Sequence, residues 1–76
     1  MKVSAIRKLV EKHTILELKQ AESDIIQEKS AGIEIEGKDE AEKLTNVIAA
    51  LWILEEMKNK GLDFKEAFSS YTKKVR

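Results

Sequence analysis

A chain of 76 residues makes one small domain, and at this size folding buries only roughly 60% of the surface the unfolded chain exposes, so stability is marginal without some further fastening. It has no cysteine and a single histidine, which excludes disulfides and thiolate metal sites and leaves oligomerisation as the usual remaining device. Lysine plus arginine and aspartate plus glutamate balance at 14 each, so no net field draws the chain to nucleic acid or an acidic membrane.

The first helix is expected over 3–12, where Val3, Ile6, Leu9 and Val10 recur at helical spacing among Ser4, Arg7, Lys8 and Glu11. It ends near His13, because Thr14-Ile15-Leu16-Glu17 matches the capping box, in which the hydroxyl of Thr14 accepts from the Glu17 amide and the Glu17 carboxylate accepts from the Thr14 amide. A second helix then runs over about 15–28 and buries Leu18, Ala21, Ile25 and Ile15, with Ile26 at the edge. His13 has the chemistry of a general base or metal ligand, but just before a helix cap it is better placed to pack on Leu18 as a staple.

Ser30-Ala31-Gly32 breaks the helical period, and Ile33-Glu34-Ile35-Glu36 alternates strictly before Gly37, the pattern of a short half-buried strand with its glutamates outward. A lone strand leaves its backbone donors and acceptors unpaired. The partners open to it are water, a loop, or the same segment of a second copy across a twofold axis.

Asp39 can cap the third helix, over about 39–60, with Glu40 and Glu42 in the first turn where the helix dipole favours anions. At about 100° per residue, Leu44, Val47, Ala50, Leu51, Ile53, Leu54 and Met57 share one broad arc, while Ile48 and Trp52, flanked by Ala49, form a second ridge nearly opposite. A helix apolar on both sides must be covered on both sides. A second copy could cover the second ridge, or the fourth helix could do so through Phe68 and Tyr71. Lys58, Lys60 and Gly61 are stop signals, and Asp63 to Glu66 repeats the capping box. The fourth helix follows over about 64–75, with a stripe of Phe64, Ala67, Phe68, Tyr71 and Val75.

The charges are unevenly spread, with eight acidic and two basic residues over 21–42, which reads as a solvated, pairing face. Glu34, Glu36, Asp39, Glu40 and Glu42 lack the ligand alternation of a calcium loop, and Lys38 and Lys43 interrupt them. The three glycines are isolated, and no GxSxG or HExxH occurs, so no enzymatic activity, metal or cofactor is expected. The turn at Gly61 invites comparison with a DNA-binding helix-turn-helix, but Glu56 and Lys60 would fall at that unit's core positions and Met57 at a small one. Two acids in Asp63-Phe64-Lys65-Glu66 would also meet phosphates. The start of the chain is too charged for an export signal, and the apolar run 47–54 is too short to span a bilayer; a cytoplasmic setting without membrane contact is the expectation.

Taken together, VSAIRKLVEKHTILEL, AGIEIEG, LTNVIAALWILEEMK, GLDFKEAF and YTKKVR resemble a family of small uncharacterised bacterial proteins, a domain of unknown function, over nearly the whole chain. The resemblance implies a small, mostly helical protein, brings no catalytic or binding residue, and gives Asn46 no ligand role. The fold expected is mainly α, four helices (about 3–12, 15–28, 39–60 and 64–75) with one short extended segment (33–36). The function expected is a non-enzymatic protein–protein interaction module, a homodimer whose candidate interface residues are Ile33, Ile35, Ile48 and Trp52. Another protein partner is the second option, and a small nucleic-acid-binding regulator is the alternative reading.

Overall fold

The computed structural model describes residues 2–74. Within them four helices follow one another: α1 (Val3–Lys12), α2 (Ile15–Ile26), α3 (Glu40–Lys60) and α4 (Phe64–Lys74). The other three helices each pack chiefly on α3. This is the physical outcome of its broad apolar arc, which only several neighbours together can cover. Asn46, Val47, Ala49, Ala50, Leu51, Ile53 and Leu54 are all buried on α3. Ala49 therefore belongs to the core rather than to the second ridge beside Ile48. The core is completed by Ile6, Leu9 and Val10 of α1, Leu18, Ala21 and Ile25 of α2, and Ala67 and Tyr71 of α4.

The starts of α2, α3 and α4 are set by the local chemistry expected of them, whereas α1 begins after Lys2 without a side-chain cap. Thr14 Oγ1 accepts from the Glu17 amide at 3.2 Å while the Thr14 amide donates to Glu17 Oε1 at 2.9 Å, and Asp63 and Glu66 repeat that exchange at 2.8 and 3.1 Å. Asp39 Oδ1 accepts from the Glu42 amide at 2.8 Å, so it caps α3 from outside. α3 stops at Gly61, whose φ of 66° is the left-handed conformation that glycine adopts at little cost. α2 ends two residues before the expected 28, with Glu28 itself left-handed at φ 60°. Val75, expected to continue the stripe of α4, lies outside the described residues.

The strand reading of 33–36 requires correction, for no strand occurs among the described residues. Its alternation reflects burial: Ile35 is buried in the core, Ile33 is partly buried against it, and Glu34 is exposed. The backbone partner comes from a side chain, as Asn46 Nδ2 donates to the Glu36 carbonyl at 2.9 Å. Gly37 lets this segment lie close to α3, since a Cβ there would come within 2.9 Å of the Lys43 amide nitrogen and 2.8 Å of its Cγ. The segment is thus fastened to its own chain through α3.

The capping box also gives stability a pH dependence. The Thr14 amide, donating to the Glu17 carboxylate, is the main cause holding its pKa below the usual range; desolvation opposes it, and His13 and the Thr14 hydroxyl add smaller lowering effects. A carboxyl whose folded pKa is depressed stabilises the fold above its unfolded pKa, and that contribution fades as pH falls through the folded value. Glu17→Gln should therefore lower the urea midpoint at neutral pH, and the gap from the parent should close on acidification to about pH 3. A gap of constant size across that range would show that the carboxylate charge contributes nothing.

Candidate interaction surface

Once α1, α2 and α4 are in place, one face of α3 remains open. At about 100° per residue it carries Ala41, Leu44, Thr45, Ile48, Trp52 and Glu55. Ile48 stands near its centre at 40% exposure. Leu44 and Trp52, one turn to either side, are half-buried and pack against the core. The indole of Trp52 meets the ring of Tyr71 at a centroid distance of 5.5 Å and an angle of 51°, and Lys74 Nζ lies 6.0 Å from the indole centroid. α4 thus covers part of the second ridge from within the chain, through Tyr71, while Phe68 stacks on Phe64 at 5.8 Å. Ile48 is left partly in water.

The four residues expected at an interface occupy different settings. Ile48 and Trp52 share the open face of α3, whereas Ile35 is 8% exposed within the core. Ile33 lines a cleft with Ile35, Glu40 and Lys43. In this fold the side chain of Ile35 is already occupied by its own chain, so only the α3 pair and the edge of Ile33 face outward.

Two features of this surface escaped the sequence reading. A groove of about 670 Å³ runs between the end of α2 and the start of α3, lined by Ile25, Ile26, Lys29, Ala41 and Leu44 among others. Ile26 is 62% exposed there, and Ala41 and Leu44 join the groove to the open face. The available signal was the step of three and four residues from Ala41 through Leu44 to Ile48. Leu16 is still more exposed, at 79%, but a single outward leucine on α2 is ordinary for a protein surface.

The titratable groups are arranged differently. Lys8, Lys12, His13, Glu34 and Glu36 line a cleft of about 230 Å³, in which Lys8 Nζ and Glu36 Oε2 are 3.4 Å apart. His13 Nδ1 stands 3.7 Å from Glu17 Oε1, too far for a hydrogen bond. Both His13 Nδ1 and Glu36 Oε2 are buried atoms without a hydrogen bond of good geometry, although the ammonium of Lys8 partly compensates the second. No group of three or more His, Asp or Glu residues among the described residues is placed to hold a metal ion. No helix among the described residues is long and apolar enough to cross a membrane.

A family model described as a family of unknown function, DUF6952, matches residues 1–76, in keeping with the resemblance of the sequence to such a family. No curated protein and no solved structure matches the chain.

Proposed function

We propose that this chain, which belongs to the DUF6952 family of unknown function, is a non-enzymatic interaction module that associates with a second copy of itself. The observation that carries this reading is Ile48, 40% exposed at the centre of a charge-free stretch of α3 from Leu44 to Leu54. A domain of this size gains stability readily by joining another surface, and Ile48 between Leu44 and Trp52 offers one. The groove at the start of α3 extends the same apolar surface.

Ile48→Lys is the direct test, because the side chain points away from the core and its replacement should leave the monomer folded. Sedimentation velocity over a concentration series should show the parent forming dimers, and the variant weakened by about 30-fold or more, the loss expected when a central apolar contact becomes a buried charge. Circular dichroism should match the parent. A parent that stays monomeric up to about 1 mM, the weak limit of measurable association, overturns the reading. So does a variant that dimerises as tightly as the parent.

A further inference from the structure

We propose that α4 changes places between copies of the chain: its seat on α3 takes the α4 of a second copy, and Gly61 sets the balance between the closed chain and this exchanged dimer. The occupant is identified because the structure shows that segment seated. α4 packs chiefly on α3 and buries Ala67 and Tyr71. The Tyr71 ring lies 5.5 Å from that of Trp52, and the Arg7 guanidinium stands 5.4 Å over Phe64. The α4 of a second copy offers every one of these contacts unchanged. None of them involves the Ile48 face, so this mode of association is independent of the one proposed above.

The turn that keeps α4 on its own chain is slight. Only Gly61, Leu62 and Asp63 stand between α3 and α4. α1 and α2 end with amides returned to their last carbonyls, from His13 to Leu9 at 3.1 Å and from Lys29 to Asp24 at 2.7 Å. Among the described residues no backbone hydrogen bond closes the end of α3 in this way, and the Asp63 amide donates to Glu66 Oε1 instead, at 3.1 Å. In an unbroken helix the amides of Gly61, Leu62, Asp63 and Phe64 would reach the carbonyls of Met57, Lys58, Asn59 and Lys60, and the chain has no proline to prevent it. What holds the turn is the left-handed φ of 66° at Gly61 and the cap that Asp63 gives α4. A Cβ at Gly61 would meet nothing within 4 Å, so the glycine serves the conformation and not the space.

Once the turn is straightened, the contacts close about a twofold axis. The contact of Trp52 with Tyr71 is centred in sequence on Gly61 and Leu62, inside the turn. Two unbroken helices laid antiparallel about an axis at that point therefore restore it in both directions. The buried Ala67 and Tyr71 follow the buried Ala49 and Ile53 by about five full turns each, which sets the buried side of α4 in line with the part of the α3 arc beside Trp52. α1 and α2 keep their places on α3.

The test is made in an Ile48→Lys background, so that the face proposed above contributes nothing and the two ideas fail separately. Gly61→Ala penalises the left-handed turn and favours the continuous helix, in both copies at once, and should tighten dimerisation in sedimentation velocity by about a thousandfold. Gly61→Asn tolerates the left-handed conformation and should stay within about tenfold of the glycine chain. Asp63→Ala keeps the glycine but removes the cap, and should tighten dimerisation by about 30-fold. The mode is read by distance, because the chain has no cysteine and spin labels on Thr45→Cys and Ser69→Cys, both exposed positions, stand alone. They lie about 17 Å apart in the closed chain and about 36 Å apart along an unbroken helix. Doubly labelled Gly61→Ala chain diluted into unlabelled Gly61→Ala should give the longer distance. A Gly61→Ala chain that stays a folded monomer at about 1 mM, a dimer that keeps the shorter distance, or a Gly61→Asn chain as tightly dimeric as Gly61→Ala overturns the proposal. If Gly61→Ala does not fold, Asp63→Ala decides, and no tightening there overturns it.

Discussion

Cutting Ile53 back to alanine is expected to remove about 4 kcal/mol of unfolding free energy, the upper part of the range for a fully buried aliphatic side chain. Ile53 has no exposed surface and belongs to the buried arc through which α3 meets the other helices. The loss has two parts, the transfer of the deleted methyl and methylene groups and the cavity left where several helices converge. A chain of this length has only about 4 to 11 kcal/mol of stability in total. The variant should therefore be partly unfolded at room temperature if the parent lies at the lower end, and a urea titration against Ile48→Ala, whose side chain is already partly in water, should show the contrast. A loss below about 1 kcal/mol, the size of an ordinary surface effect, would place the core elsewhere than on α3.

Asn46→Ala should cost about 2 to 3 kcal/mol for a different reason, because it leaves two polar groups without their partner. Asn46 is wholly buried; its Nδ2 donates to the Glu36 carbonyl at 2.9 Å, and its Oδ1 accepts from the Lys2 amide at 3.4 Å. One side chain thereby fastens both the start of α1 and the 33–37 segment to α3. Thermal unfolding should report the loss as a lowering of Tm by about 10 to 20 °C, given 4 to 8 °C per kcal/mol for a domain of this size. Asn46→Asp should be at least as damaging, since it loses the donor and buries a charge. A shift in Asn46→Ala smaller than about 3 °C would mean that water replaces the amide at both groups.

The contrast between these two positions explains what could be read from the sequence. The bounds of α1 and the caps at Thr14, Asp39 and Asp63 depend on residues within four positions of one another, so local spacing was enough. The stop at Gly61 is equally local. α2 ends at Ile26 in a stretch without glycine or proline until Gly32, where the chain must turn to bring the next segment over α3, and no neighbouring residue announces it. The Ile33–Glu36 alternation did report which side chains are buried, but its backbone partner is ten residues away on Asn46, and a period of two cannot distinguish a ladder from a loop held by a side chain. Asn46 was passed over as a core residue, although helical spacing sets this polar side chain within the apolar arc of α3.

The candidate surface was legible to the same degree. The ridge of Ile48 and Trp52 follows from helical spacing, whereas its division between chain and solvent depends on the crossing of α4, which sets Tyr71 on the indole and leaves Ile48 uncovered. Ala49 was assigned to the wrong side of α3 because the width of the covered arc depends on how many helices pack there. The groove beside Ile26 arises from two elements separated by a loop and has no counterpart in any single stretch of sequence.

Because α1, α2 and α4 each lean chiefly on α3, the fold behaves as one axle with three arms. Loss of helical order in α3 removes the support of all the others at once, so the amides of its buried central turns should exchange with solvent the most slowly in the chain. An arm can detach at smaller cost. α4, joined by the short turn at Gly61 and held by Ala67 and Tyr71, should be able to lift and return while α1 and α2 stay in place. Each such excursion would strip Tyr71 from Trp52 and widen the apolar face of α3, so the proposed self-association, where it forms, would be coupled to the local breathing of the last helix.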